Sequence, residues 1–236
     1  VRTDPLLSGL VDLLLPTACA GCRAEGAPLR SGVCAGCAAE LDGLRPRPVR
    51  PTPAPPGLPP CTALGEYAGV LREALLAYKE RGRHGLGRPL GALLAEVVAA
   101  AVGTPRPTLL VPVPSTARAV RARHGDHLDR IVRSARRRLV AAGWPVTALR
   151  PVRALPRPDS AGLDAAGRAA AAAAAFRIRR IGVNQIRRVA SGRLVLVVDD
   201  IVTTGSTIAA MAEILAGHGV SVDAAAVLAA TARRNR

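Results

Sequence analysis

The sequence predicts an α/β protein: a mainly parallel sheet flanked by helices, with a small module at its N-terminus. Three observations predict it. Residues 194–198, Leu-Val-Leu-Val-Val, are an unbroken apolar run of the kind that forms a strand buried on both faces. Helical periodicity at 70–79, 86–102 and 126–142 alternates with short apolar runs, the pattern of a parallel sheet with crossover helices. Ahead of these elements stand two C-x-x-C pairs, which can close a small unit around one ion.

Composition sets the limits. A chain of 236 residues accommodates one α/β domain and an appendage. Hydrophobic residues make up 49% but aromatics only 2%, so the core is built from Leu, Val and Ala. The net charge of +16 favours polyanionic partners, nucleic acid or a phosphorylated metabolite. Lys79 is the sole lysine among 33 basic residues. In a chain that otherwise uses arginine, it suggests a place for a compact ammonium. No stretch reaches the roughly 18 apolar residues of a membrane span, so no membrane insertion is expected. Residues 5–15 read as a short amphipathic helix stopped by Pro16 rather than as a secretory leader. Five cysteines, four of them in pairs, suit a reducing, cytoplasmic setting.

In chain order, residues 1–44 hold the N-terminal helix and the paired cysteines. Cys19 and Cys22 are separated by eleven residues from Cys34 and Cys37. Two such knuckles make a tetrahedral zinc site, closed and structural, and the alternative is a pair of redox motifs. Cys61 is left over as a buried or free thiol. Residues 45–60 contain eight prolines and read as an extended linker. The main domain, 61–236, opens with a strand at 62–67 and continues into helices at 70–79 and 86–102. A short strand at 108–111 runs into Pro112, Val113, Pro114 and Ser115, with Arg118, Arg121 and Arg123 beyond it. His124 and His127 flank Asp126 in the next stretch. A helix start with Asp126 in its first turn is preferred there to a metal site.

The helix at 126–142 places Arg130, Arg133 and Arg137 on one face, with Arg136 and Arg138 beside it. A solvated face and a stripe for nucleic-acid phosphates fit equally well. A strand follows at 146–152. Residues 177–193 carry six arginines and no acid and read as a basic loop. The last helix and strand fall at 206–217 and 220–230.

Function concentrates at 193–207. Asp199 and Asp200 close the apolar strand, and Thr203, Thr204, Gly205, Ser206 and Thr207 lead into a helix. Ligands of open α/β sheets bind beyond the carboxyl ends of the strands. Backbone N–H groups at a helix start, close approach at Gly205 and four hydroxyls make a monophosphate cradle. The two carboxylates can accept bonds from sugar hydroxyls or hold Mg²⁺ through water. Together they describe a site for a ribose 5-phosphate. No Gly-Lys-Ser/Thr and no G-x-G-x-x-G occurs, which excludes the Walker and Rossmann phosphate loops.

The run 195–207 resembles the phosphoribosyl-pyrophosphate (PRPP) motif of type I phosphoribosyltransferases. With the paired cysteines it makes the chain similar to the ComF family, which is associated with competence and DNA uptake. The resemblance implies a type I phosphoribosyltransferase-like fold that binds PRPP with Mg²⁺. Asp199 and Asp200 would serve the ribose and the catalysis, and 203–207 the 5-phosphate. It further implies pyrophosphate contacts from Lys79, Pro114, Ser115, Arg118 and Arg123, with a mobile loop after Ser115. Single-stranded DNA and DNA-uptake proteins are the implied partners. The alternatives are a nucleic-acid-handling protein with a non-catalytic PRPP site, and a nucleobase salvage enzyme whose zinc appendage serves a homo-oligomer. Two stretches depart from the family: R-G-F-N-Q is Arg123, His124, Gly125, Asp126 and His127 here, and Ser160 and an alanine run replace a Gln and an Asn.

Overall fold

A computed structural model of the chain describes residues 18–123, 125–155, 175–179 and 182–231. The expected helix at 5–15, His124 and most of the second departing stretch, Ser160 included, lie outside them. The elements in order are α1 (Ala35–Asp42), β1 (Arg47–Val49), β2 (Cys61–Glu66), α2 (Gly69–Glu80), a 3₁₀ turn (His84–Leu86), α3 (Gly87–Val102), β3 (Thr108–Pro112), α4 (Ala117–Ala122), α5 (His127–Ala141) and β4 (Val146–Ala148). They continue with β5 (Val152–Ala154), β6 (Phe176–Ile178), α6 (Gly182–Ala190), β7 (Leu194–Val202), α7 (Ser206–Ala216) and β8 (Ala224–Ala230).

The fold is α/β, as the sequence predicts. Six strands form one sheet in the order β1-β2-β8-β7-β3-β4. Every pairing is parallel except that of the edge strand β1 with β2. The centre of the sheet is apolar on both faces: Leu109, Leu110, Val111, Val195, Leu196, Val197 and Val198 are all buried. Helices α3 and α5 cross so closely that a Cβ on Gly91 would lie 2.4 Å from that of Ser134, so only glycine fits there.

The topology decides where a ligand can sit. From β3 the chain crosses outward through α5 to β4, and from β7 it crosses the other way through α7 to β8. Right-handed crossovers running in opposite directions put their helices on opposite faces of the sheet. A crevice therefore opens between the carboxyl ends of β3 and β7, the switch point of an open α/β sheet.

Several local expectations change. The strand expected at 146–152 is two strands. β4 ends at Ala148, and β5 pairs antiparallel with β6 in a separate small sheet. The break falls at Arg150 and Pro151: Arg150 turns to Asp126 and Asp129, and proline has no N–H for a ladder. In the described part of 177–193, Arg177 and Ile178 belong to β6 and Gly182–Ala190 is α6, anchored by the fully buried Ile186. The final strand begins at Ala224; ahead of it Asp223 clamps Val195, its side chain accepting the Val195 N–H at 2.8 Å and its own N–H donating to the Val195 carbonyl at 2.9 Å. Within the proline-rich stretch, Arg47–Val49 joins the sheet as β1 and Leu58 is buried. One helical stretch, His84–Val102, is long and apolar enough to cross a membrane, but its Leu90, Leu94, Val97 and Val98 are packed in the core.

Candidate functional site

Strand β7 runs further than the apolar stretch suggests. It continues through both acids to Val202, so Asp199 and Asp200 are strand residues and not part of the turn. Adjacent strand residues point to opposite faces, and the two acids are held very differently. Asp199 lines an open cleft together with Ile201 and the 203–207 loop. Its Oδ1 accepts the Asp200 backbone N–H at 2.9 Å. Burial pushes its carboxyl up to about 8, and the neighbouring Asp200 charge adds to the effect.

Asp200 is only 6% exposed. Its Oδ2 receives the Lys79 ammonium at 2.6 Å and His127 Nε2 at 3.0 Å. Burial alone would raise its carboxyl, but the His127 hydrogen bond and the Lys79 charge and hydrogen bond outweigh that and hold it down to about 2. A buried carboxylate needs such partners, because leaving a charge unpaired in the interior costs several kcal/mol.

The loop after β7 turns into α7 at a glycine. Gly205 caps α7 at φ 79°, a left-handed conformation that only glycine adopts freely. A Cβ there would also come within 3.0 Å of Leu58. Thr204 Oγ1 and Ser206 Oγ lie 3.0 Å apart, and Thr203 and Thr204 are exposed. The first N–H groups of α7 have no intrahelical acceptor and form the positive end of the helix dipole. The cleft thus brings the start of α7 and the loop hydroxyls beside the Asp199 carboxyl. Carboxylate oxygen plus water is the donor set that suits Mg²⁺.

None of the other predicted contacts lines this cleft. The Val113 N–H donates to the Val198 carbonyl at 2.9 Å, which sets buried Pro114 and half-buried Ser115 beside the end of β7. Residues 117–122, where a mobile loop is expected, form α4, capped by the Thr116 hydroxyl. Arg118 is exposed on α4. Arg123 pairs with Glu80 at 2.7 Å. Lys79 is bound to Asp200 rather than directed at a phosphate.

Asp126 caps α5 by accepting the Asp129 N–H, as a helix start requires. That places His127 in the first turn with its ring turned inward, a role that the sequence reading missed. The only signal was its position one residue after a capping acid. Among the arginines of α5, Arg133 is paired with Asp129, while Arg137 and Arg138 are exposed.

The second candidate centre is the cysteine cluster. The Sγ atoms of Cys19, Cys22, Cys34 and Cys37 all lie within 4.8 Å of one another, and Cys22 and Cys34 are 3.8 Å apart. All four are free thiols. Tetrahedral Zn–S bonds of about 2.3 Å require sulfurs about 3.8 Å apart, so the geometry fits zinc. The N–H groups of Gly21 and Cys34 point at Cys19 Sγ, at 3.4 and 3.2 Å. Burial would raise the Cys19 thiol, but these and other hydrogen bonds at the sulfur bring it down to about 6. Burial pushes the Cys37 thiol up. Cys61 takes no part. It is buried, donates to the Pro59 carbonyl at 3.2 Å and is pushed up to about 11 by burial.

Comparison with known families adds one finding. The family model of the phosphoribosyl transferase domain matches residues 170–236, the part of the chain that carries β7, the 203–207 loop and α7. A search of curated proteins finds none that matches the chain.

Proposed function

We propose that this protein binds PRPP with Mg²⁺ in the crevice between β3 and β7 and transfers its phosphoribosyl group to a nitrogen nucleophile. The observation that carries the reading is the junction of Asp199 with the 203–207 loop, inside the segment that matches the phosphoribosyl transferase domain. The loop would hold the 5-phosphate through backbone N–H groups and hydroxyls. Asp199 and Asp200 would reach the ribose from the two faces of β7, and the Asp200 carboxylate, held ionised by Lys79 and His127, would oppose the positive charge that develops on the ring as pyrophosphate departs. Mg²⁺, held by Asp199 and the ligand's own oxygens, would supply charge against the leaving pyrophosphate. Pro114 and Ser115, which follow β3, and Arg118, exposed on α4, are the candidates for the pyrophosphate end.

Isothermal titration of PRPP with MgCl₂ into the zinc-loaded protein tests this. Wild type binds, and an Asp199→Asn/Asp200→Asn double variant binds at least about tenfold more weakly, the loss expected for two charged hydrogen-bonding groups. A folded wild type that takes up no PRPP would overturn the reading.

A second ligand is supported by a separate observation. Exposed Arg137 and Arg138 continue along α5 on a chain of net charge +16. The resemblance to the ComF family makes single-stranded DNA the natural polyanion for that face, and the zinc cluster would then serve folding or docking.

A further inference from the structure

We infer that His127 is a positioning residue for Asp200: its Nε2–H fixes the carboxylate in the orientation that the ribose of PRPP requires. The inference rests on the PRPP reading above. It starts from the number of constraints on one ring. His127 is 7% exposed. Its carbonyl accepts the Tyr78 hydroxyl at 2.9 Å. Its ring packs edge-on against Tyr78, with centroids 6.2 Å apart. Asp126, one residue earlier, is tied to the Asp129 N–H and to Arg150. The imidazole is therefore set by α2 and α5 before any ligand arrives, and it points at Asp200 Oδ2, 3.0 Å away.

Lys79 alone would not give the same result. An ammonium on a four-carbon stem is a mobile point charge and constrains the direction of a carboxylate weakly. A ring donor on the same oxygen fixes the carboxylate plane and commits Oδ2 to the protein, leaving the other oxygen to be presented to the ligand. The tautomer this bond requires carries its proton on Nε2. His127 Nδ1 is buried and makes no hydrogen bond. The ring can thus be replaced by a side chain that keeps only the outer donor, and glutamine, whose Nε2 reaches about as far, is that replacement.

The test titrates two probes, PRPP with MgCl₂ and inorganic phosphate, into zinc-loaded wild type, His127→Leu, His127→Gln and His127→Asn. Thermal melts are recorded for each. We expect His127→Leu to weaken PRPP binding about tenfold or more, the size of one hydrogen bond to a charged group. Phosphate, which needs only the 203–207 loop, should bind unchanged. His127→Gln should recover PRPP affinity to within about threefold of wild type, and His127→Asn, too short to reach Asp200, should not. If His127→Leu does not fold, the comparison of Gln with Asn carries the test. A merely structural role would weaken both probes in step with the melting temperature, and that result would overturn the inference. Equal PRPP affinity in wild type and the Leu or Asn variant would also overturn it while leaving the ligand reading intact. A wild type that binds no PRPP removes both.

Discussion

Asp199 and Asp200 are neighbours in the chain and opposites in the fold. One faces the cleft with its carboxyl pushed up to about 8, and the other is gripped by two donors and held down to about 2. That difference yields a stability prediction. Asp200 has a folded pKa below its unfolded value. The stability it contributes is complete above about pH 4 and is lost as pH falls toward 2. Lys79→Met leaves this buried carboxylate with one donor fewer and should cost about 3 kcal/mol at neutral pH. Denaturant unfolding at a series of pH values checks it. The gap between wild type and variant should close between pH 4 and 2, and a constant gap would mean that Lys79 acts through packing alone. The sequence made the strand, the two acids and the glycine-centred turn legible, because they are contiguous. It did not reveal how the acids differ. Their partners Lys79 and His127 lie far away in the chain, and only the packing of α2 and α5 against β7 brings them in.

At the scale of elements, the cysteine module is locked to the domain rather than tethered beside it. Arg83 donates to the carbonyls of Ala18 and Gly32 at 3.0 and 3.3 Å. Arg23, next to Cys22, pairs with Glu73 of α2 at 2.7 Å. The hydrogen bonds from Arg23 and then Arg81 hold the Glu73 carboxyl low. A Cβ on Gly21 would meet both Cys37 and Val70 at 2.8 Å, so the first knuckle lies directly on α2, the helix that carries Lys79. Ligands that bind only the folded state stabilise it. Removing zinc with a chelator should therefore lower the melting temperature by several degrees and also weaken PRPP binding. Metal analysis should find one zinc per chain before treatment and none after. Unchanged PRPP affinity in the zinc-free protein would show the module to be energetically separate from α2. The cysteine spacing was legible because two C-x-x-C turns encode their geometry locally. The short strand β1 and the split of 146–152 into β4 and β5 were not legible. At three residues each, they are fixed by pairing partners rather than by any pattern of their own. In α6 the helical spacing of Ile186 and Val189 was masked by the arginines between them.

For the whole molecule, the sheet order separates the two sources of charge. The switch point between β3 and β7 lies at the carboxyl ends of the strands, where Asp199 and the 203–207 loop line one cleft. The arginines of α5 extend away from it, toward the Ala141 end of the helix. Arg133 is neutralised by Asp129, which leaves Arg136, Arg137 and Arg138 as the segment able to meet a polyanion. Two ligands that both depend on positive charge should therefore be separable. In the triple variant Arg136→Ala/Arg137→Ala/Arg138→Ala, PRPP affinity should change less than about threefold, because distant exposed charges are screened over about 8–10 Å at physiological salt. Binding of a single-stranded oligonucleotide, followed by anisotropy across a salt series, should weaken more than about tenfold. Its salt slope should fall by about 2, since each phosphate contact on a single strand contributes about 0.7. An unchanged slope with weakened PRPP binding would mean the opposite arrangement, in which the charge of α5 serves the crevice and the chain has no separate polyanion face.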